Sequence, residues 1–292
     1  MKIVELYKTP HEVLDIAWSG QRQYLRDQGV TVLAHNVSGM PSHATKDLLK
    51  VMPDPDAWLL RDLEFLKYDL SGTVYLDLST PCALGPTSPW RTKLQKVRRV
   101  FGYSALMENS VRDAGMGRVT TLPGPYIEPF DSPLPERMTV AVLKTSADAQ
   151  RVLFELLQFR ASKNFDWDVV SPIQARGSTL VGSNLDAADA ATLILAPTDN
   201  GGDLGTPHLG AILALASKKA LATSRNDAVS TMGFPAGTFI NVTKYSARSY
   251  VGAIELFLRG SKTFLEWPHK AKTDYADLPK RIVRDLTALG VS

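Results

Sequence analysis

The chain has 292 residues, of which 44% are hydrophobic and 22% are charged, a balance typical of a globular protein with enough length for two domains. Its single cysteine, Cys82, excludes an internal disulfide framework and a cysteine-rich zinc site. The N-terminal region lacks the apolar core of a secretory signal, and no run approaches the ~20 apolar residues that cross a bilayer. These features predict a cytoplasmic protein, and the formal net charge of +3 permits an anionic partner without requiring one.

The first part of the chain alternates between strand and helix patterns. Short apolar runs predict strands, and apolar residues at helical spacing predict helices. In chain order we predict strands at 2–7, 30–34, 73–78, 97–103 and 119–122, with helices at 11–27, 55–67 and 107–114. This alternation is typical of a parallel, doubly wound sheet. His35 and Asp77 fall at the ends of the second and third strands, where ligands of such sheets bind.

A proline-rich segment interrupts the alternation. Residues 123–136 hold five prolines in fourteen positions, so they cannot continue a helix or a central strand. We interpret the segment as an interdomain hinge. The predicted organisation is an N-terminal domain at 1–125, a hinge at 126–137, a C-terminal domain at 138–260, and a helical segment at 261–292 that packs back on the N-terminal domain.

The strand and helix alternation restarts after the hinge. The patterns predict strands at 139–143, 167–170, 178–181, 191–196 and 220–223, with helices at 148–159, 207–216, 246–259 and 277–289. The second half therefore repeats the organisation of the first, and the fold class that we predict is α/β with two Rossmann-like doubly wound domains.

The connection before the strand at 220–223 is rich in glycine. The run Gly201-Gly202-Asp203-Leu204-Gly205 precedes Thr206, which suits a helix N-cap, and Pro207, which suits the first helical turn. Backbone N–H groups of Gly202, Gly205 and Thr206 would be available to bind phosphate at the start of this helix. The alternative is an ordinary βαβ turn in which glycine supplies a positive φ.

Two patterns resemble GT-B glycosyltransferases of the glycosyltransferase family 4 type. In that type the N-terminal domain ends with a strand that terminates in serine, a short helix that leads to glycine, and a strand that ends in a proline-glycine turn. Ser104, Gly115 and Pro123-Gly124 occupy these positions here. That type also has a strand ending in Pro-Ser before its glycine loop, and Pro197-Thr198 matches it.

The sequence departs from this type at defined positions. The family usually has two glutamates seven residues apart around the glycine loop, whereas this chain has Gly202 or Asp203 near the first position and Gly210 near the second. The Gly-Arg after the first C-terminal strand of the family is matched by Leu143-Lys144, and Arg151 is the nearest basic substitute for the lysine that follows. The stereochemical course, retaining or inverting, therefore stays open.

The resemblance implies the GT-B fold, with two domains facing a cleft, and transfer of a sugar from a nucleotide-sugar donor to a hydroxyl group. UDP-glucose is the favoured donor, and no metal is implied. Lys144, at a strand end, would neutralise the diphosphate with help from Arg151, and His208, one turn into the helix, would reach the sugar or phosphate. The implied donor contacts in the loop are Asp199, Gly202, Asp203, Gly205 and Thr206. As alternatives, Lys144 is a solvated surface lysine, His208 hydrogen-bonds only to its neighbours, and Asp199 and Asp203 are turn-forming residues.

Two residues of the N-terminal domain are candidates for the catalytic base. Sugar transfer needs a group that takes the proton of the acceptor hydroxyl from within about 3 Å. Asp77 is the first candidate because it ends an apolar strand, and His35 competes for the role from a neighbouring strand end. The alternative for Asp77 is a cap on the loop that follows.

A basic run in the N-terminal domain indicates an anionic acceptor. Nine residues without an acid contain five cations, namely Arg91, Lys93, Lys96, Arg98 and Arg99. Such cations contact the phosphates of nucleic acids, and Trp90 and Tyr103 would be available to stack on a displaced base. A solvated helix face is the alternative interpretation.

The resemblance extends to small GT-B enzymes of bacteriophages that glycosylate hydroxymethylated pyrimidines in DNA. It therefore implies double-stranded DNA of that kind as an acceptor and the host cytoplasm as the location. A glycosyltransferase with a sugar or small-molecule acceptor, a non-catalytic nucleotide-binding protein, and a DNA-binding protein without enzymatic activity are the alternatives.

Overall fold

The chain divides into two compact units. The computed structural model describes residues 1–8, 11–79, 84, 87–146, 148–163, 165–197, 207–224, 226–242 and 246–291. The first unit comprises Met1–Pro125 and the chain from Asp274 onward, and the second comprises most of the chain between Tyr126 and Thr273.

The first unit is a six-stranded sheet in which all neighbouring strands are parallel. Its strands lie in the order β2-β1-β3-β4-β5-β6. They are β1 (Lys2–Tyr7), β2 (Thr31–Asn36), β3 (Ala57–Leu60), β4 (Thr73–Asp77), β5 (Arg99–Gly102) and β6 (Val119–Thr121). Its helices are α1 (Glu12–Asp27), α2 (Ser42–Val51), α3 (Arg91–Leu94), α4 (Ala105–Asp113) and the C-terminal α10 (Asp277–Ala288).

The helix predicted at 55–67 was wrong. Ala57–Leu60 forms β3, and a short 3-10 helix follows at Leu63–Lys67 with Asp62 as its cap. All four residues of β3 are buried, because a central strand of a parallel sheet is covered on both faces. A continuous apolar run of this length does not distinguish a buried strand from a buried helix.

Helices cover both faces of this sheet. On one face Ile3, Leu25, Ile282 and Leu286 belong to a single apolar cluster, so α1 and α10 pack together on the sheet. The side chain of Arg99 reaches Asp285 of α10 with two hydrogen bonds, at 2.8 Å from Nε and 3.2 Å from Nη2. The C-terminal helix is therefore an integral part of the first unit.

The second unit repeats this architecture. Its strands are all parallel and lie in the order β12-β11-β10-β7-β8-β9. They are β7 (Thr139–Val142), β8 (Asp168–Ser171), β9 (Thr179–Leu180), β10 (Leu193–Ala196), β11 (Ala220–Thr223) and β12 (Ile240–Asn241). Its helices are α5 (Asp148–Lys163), α6 (Asn184–Asp189), α7 (Leu209–Ser217), α8 (Asn226–Thr231) and α9 (Ala247–Lys270). The predicted fold class, two doubly wound α/β domains, is confirmed.

The proline-rich segment is fixed to the second unit by a buried cation. Lys219 donates from Nζ to the carbonyl oxygens of Ser132 and Pro133, at 2.9 and 2.7 Å. Burial lowers the pKa of Lys219. The hinge assigned to 126–137 stays a prediction, and α9 continues past residue 261 with a non-helical residue at Gly260.

Candidate functional site

Lys144 lies at the carboxyl end of β7, on the edge where open α/β sheets bind their ligands. Its backbone N–H donates to Oδ1 of Asn184 at 2.7 Å, and Nδ2 of Asn184 donates to the Lys144 carbonyl at 3.4 Å. The buried Asn184 therefore holds the backbone of the strand-end loop, while the side chain of Lys144 is exposed.

Two hydroxyl residues follow Lys144 and were not predicted as site residues. Thr145 donates from Oγ1 to the carbonyl of Pro197 at 2.7 Å, which joins the ends of β7 and β10. Oγ of Ser146 is buried and has no hydrogen-bond partner among the residues described. A buried hydroxyl without a partner is costly, and a phosphate oxygen is a group that would satisfy it. The Lys-Thr-Ser sequence between a strand and a helix was the available signal.

His208 caps the start of α7. Its Nδ1 accepts the backbone N–H of Ala211 at 3.0 Å, and its Nε2 lies 2.8 Å from Oγ1 of Thr223. Since Thr223 donates its hydroxyl proton to the Ala196 carbonyl, Nε2 must be the donor in the second bond. These two bonds select one neutral tautomer and fix the helix start to the ends of β10 and β11.

The position of His208 corrects two predictions. The helix begins after His208 rather than after Thr206, and the ring lies at the N-cap rather than one turn inside the helix. Both ring nitrogens bond to the protein and the side chain is buried, so the structure gives His208 a positioning role at the helix start. The N-terminus of α7 carries the positive end of the helix dipole at this edge.

The predicted loop contacts of the donor lie outside the described residues. These are Asp199, Gly202, Asp203, Gly205 and Thr206. Pro197 and Pro207, on either side of that stretch, are described and buried. The donor-binding roles assigned to the five loop residues therefore stay predictions.

Arg151 lies in the first turns of α5 and is paired within its own helix. Its guanidinium lies 3.0 Å from Asp148 and 3.5 Å from Glu155. The hydrogen bond to Asp148, followed by the charge of the same residue, raises the pKa of Arg151. Surface pairs of this kind are weak, and the donor-binding role assigned to Arg151 stays a prediction.

Asp77 lies at the end of β4, as predicted, but in an environment that does not suit a general base. The carboxylate is fully buried and pairs with Nη1 of Arg61, and Ser79 donates to it at 3.2 Å. Arg61 also donates from Nε to Glu5 at 2.7 Å. A general base must reach the acceptor hydroxyl, whereas the Asp77 carboxylate is fully buried and its Oδ2 pairs with a buried cation. The structure therefore assigns Asp77 to the core of the first unit, as a correction of the predicted catalytic role.

His35 lies on β2, at the end of the strand order, and is separated from Asp77 on β4 by β1 and β3. The two candidate bases are therefore not brought together. The ring of His35 is half-buried, and its Nε2 is buried without a hydrogen-bond partner in the part of the chain that the structure describes. Its catalytic role stays a prediction.

The environment of His35 predicts a pH dependence of stability. Burial lowers the pKa of His35 from 6.5, so the unfolded chain binds a proton at this residue more readily than the folded chain does. Its contribution to the free energy of unfolding should be complete above the unfolded pKa of 6.5 and decrease as the pH falls toward the lowered folded value. NMR titration should place the His35 pKa below 6.5, and His35→Gln should reduce the loss of stability on acidification. A pKa above 6.5 would contradict the assignment.

The basic run spans a helix, a turn and the start of a strand. Arg91 lies on α3 beside Gly115, Arg99 pairs with Asp285, and Arg98 precedes β5. Lys93 and Lys96, by contrast, line the same cavity. The chain passes from a helix to a strand within the run, so the five cations do not lie on one helix face. The nucleic-acid-binding role assigned to them stays a prediction.

Tyr103 cannot serve as the predicted stacking residue in this structure. Its side chain is fully buried, and its pKa is raised well above the ordinary value by burial and by the charge of Asp77. Trp90 is half-buried against the core of the first unit.

Among the residues that the structure describes, no three histidine, cysteine, aspartate or glutamate side chains lie together as a metal site would require. Within the same residues, no helix combines the length and the apolar character of a membrane-spanning segment.

Comparisons with known proteins agree on the fold. No family model matches the sequence, and no curated protein matches it. Solved structures do match over nearly the whole chain. HepE of Anabaena in complex with UDP and glucose has a TM-score of 0.66 at 10% identity, with 99% of this chain and 100% of that chain covered.

Two other solved structures give the same result. Sucrose-phosphate synthase from Thermosynechococcus elongatus has a TM-score of 0.65 at 12% identity, with 99% of this chain and 100% of that chain covered. An alpha-glucosyltransferase in complex with UDP and a 13-mer DNA has a TM-score of 0.58 at 9% identity, with 98% and 100% covered.

Identities of 10%, 12% and 9% bear on the fold rather than on the reaction. The order of the elements, the two parallel six-stranded sheets and the match along whole chains all point to the same architecture. The chain has the GT-B fold of the glycosyltransferases that its sequence resembles.

Proposed function

We propose that this protein is a glycosyltransferase that moves a sugar from a nucleotide-sugar donor, UDP-glucose above all, to a hydroxyl acceptor. The observation that carries the proposal is the carboxyl edge of the second sheet. The exposed Lys144 and the N-terminus of α7 lie there at the ends of the neighbouring strands β7, β10 and β11. The structural likeness to HepE, which binds UDP and UDP-glucose, supports the proposal.

Sugar transfer requires that the carboxyl edge of the second sheet stabilise the leaving diphosphate. In the transfer the acceptor oxygen bonds to the anomeric carbon, the bond from that carbon to the diphosphate oxygen breaks, and the acceptor proton passes to a base. Negative charge then increases on the leaving diphosphate. The ammonium group of Lys144 and the dipole of α7 are fixed positive charges in the place where this increase would occur.

Replacing Lys144 with alanine should weaken UDP binding by about 1.5–3 kcal/mol, roughly 10- to 150-fold, because a charge-assisted contact to phosphate is lost. Isothermal titration with UDP measures this change. Lys163→Ala is the matched control, since Lys163 is also exposed but lies at the other end of α5. Equal UDP affinity in both variants would remove Lys144 from the proposed site.

Product identification separates transfer from other reactions of nucleotide sugars. A transferase should release UDP from UDP-glucose slowly in the absence of acceptor and faster with the correct hydroxyl compound. A protein that binds UDP tightly but releases none under either condition would be a non-catalytic nucleotide-binding protein.

For the acceptor we propose hydroxymethylated pyrimidine in double-stranded DNA, as in a bacteriophage modification system. Two observations support this acceptor. The matched alpha-glucosyltransferase was solved with DNA, and Lys93 and Lys96 lie together in the first unit. Glucose transfer should occur to DNA that contains hydroxymethylcytosine and not to unmodified DNA. Transfer to a simple sugar or alcohol with no DNA transfer would instead show a small-molecule acceptor.

A further inference from the structure

A groove lined by lysines runs along the first unit. It consists of two adjoining cavities, of about 190 and 630 Å³, that share Lys67, Tyr68 and Asp69. Lys46 and Lys50 of α2 line the second cavity, and Lys93 and Lys96 line the first. We call this feature the lysine groove. Three of its lysines lie outside the basic run, so the sequence pattern alone did not reveal it.

The charge of the lysine groove is strongly one-sided. Five lysines line it, and Asp69 is the single acid among the described residues of its lining. Lys50 is partly offset by Asp47, at 2.8 Å. Lys46, Lys67 and Lys96 are exposed. Like charges along one groove repel one another, and a bound polyanion would relieve that repulsion.

The lysines of the groove come from three parts of the chain. Lys46 and Lys50 come from α2, while Lys93 and Lys96 come from α3 and the turn after it. Between them, Nζ of Lys67 lies 5.2 Å from the ring centroid of Tyr68 and 3.0 Å from Oγ of Ser42. Lys93 donates to the Lys67 carbonyl at 3.1 Å. The lysines are thus spread along a groove rather than gathered at one point.

We propose that the lysine groove binds the phosphodiester backbone of nucleic acid. A chain of phosphates can place one anion near each successive lysine, whereas a flat bilayer surface does not enter a groove. This inference rests on the proposed function and extends it by naming the surface that holds the acceptor polymer.

The cavity that Lys93 and Lys96 line lies toward the edge of the sheet where the strands begin. Its lining includes Val74, near the start of β4, and Val97, which precedes β5. The lysines of this cavity would therefore contact DNA at a distance from the reacting nucleotide. We expect their loss to raise the KM for DNA and to leave donor binding unchanged.

The test compares two triple variants that remove the same charge. Lys46→Ala, Lys67→Ala and Lys96→Ala together remove three exposed lysines of the groove. The control combines Lys163→Ala, Lys262→Ala and Lys272→Ala, which are exposed lysines of the second unit. Fluorescence anisotropy with a labelled 20-base-pair DNA, at several salt concentrations, gives the affinity and its salt dependence. Thermal melting confirms that each variant is folded.

The groove variant should bind DNA at least about tenfold more weakly at low salt, and its slope of log affinity against log salt should fall by about 0.9 for each lost phosphate contact. The control should stay close to the parent protein. Equal losses in the two variants would overturn the proposal, since net charge alone would then explain them.

Two further measurements distinguish failure of the groove proposal from failure of the proposed glycosyltransferase function. Binding of the parent protein to vesicles of anionic phospholipid, with no binding to DNA, would overturn the proposal in favour of a membrane surface. UDP release from UDP-glucose is measured in the same proteins, both without DNA and with hydroxymethylated DNA. DNA binding that depends on the groove in a protein that releases no UDP under either condition would support the groove and contradict the proposed glycosyltransferase function.

Discussion

Replacing Arg61 with methionine should destabilise the first unit by about 3–5 kcal/mol, because it leaves two carboxylates without their shared cation in the protein interior. Arg61 is 1% exposed, and its partners Glu5 and Asp77 are both fully buried. Burial disfavours the charged guanidinium, but the charges of the two carboxylates outweigh this effect and raise the pKa of Arg61 above its ordinary value. The ring of Trp18 adds a cation–π contact at 4.9 Å.

Urea unfolding of the purified protein measures this effect. Arg112→Met is the control, since Arg112 pairs with Glu108 on the exposed surface of α4 and such pairs contribute little. A triple replacement of Glu5, Arg61 and Asp77 by leucine, methionine and leucine should recover much of the loss, because a buried ion pair and an apolar group of similar size are often equally stable. A methionine variant as stable as the Arg112 control would contradict the stabilising role of the Arg61 ion pairs.

The Arg61 cluster also explains why the catalytic role predicted for Asp77 failed. The sequence correctly located Asp77 at the end of a strand. However, residues 55–67 were predicted as a helix, and a helix at these residues does not place Arg61 beside the end of the strand that carries Asp77. Once 57–60 is a strand beside β4, Arg61 follows it at the same edge and meets Asp77. The wrong helix at 55–67 thus hid the buried ion pair that makes Asp77 unsuitable as a general base.

The architecture itself was accessible from the sequence. Buried parallel strands are continuous apolar runs, and helices between them show an apolar face, so most elements of both units could be located. The N-cap of α7 could not, because it depends on a tertiary contact. Thr206 satisfies the local preference for a cap, but His208 bonds to Thr223, which lies fifteen residues further along the chain. The lysine groove depends on α2, a helix that the sequence pattern did not predict. Thr45 is the buried residue of α2, and the other nine residues of this helix are partly buried or exposed.

A methyl group at residue 210 should disturb both the stability of the second unit and its binding of UDP. Gly210 lies at the start of α7, and a Cβ added there would be 2.3 Å from Cβ of Ala196 and 3.1 Å from Cε1 of His208. Cβ of Ala196 cannot rotate away, so the helix must move. The same collision gives a physical reason why the glutamate that the family usually has near this position is absent.

In Gly210→Ala the collision should lower the free energy of unfolding by about 3 kcal/mol, the upper end of the usual range for overpacking. Alanine is a better helix former than glycine by about 1 kcal/mol, so we expect a net loss of about 2 kcal/mol. Because the shift displaces the N-terminus of α7 from the ends of β10 and β11, UDP affinity should fall as well. Gly252→Ala in α9 is the matched control, since a Cβ at that residue would meet no atom of the described residues within 4 Å, its chain neighbours and its own helix backbone aside, and it should leave UDP affinity unchanged. Chemical unfolding and UDP titration of both variants measure the two effects. A Gly210 variant that loses stability but binds UDP normally would place the diphosphate elsewhere in the protein.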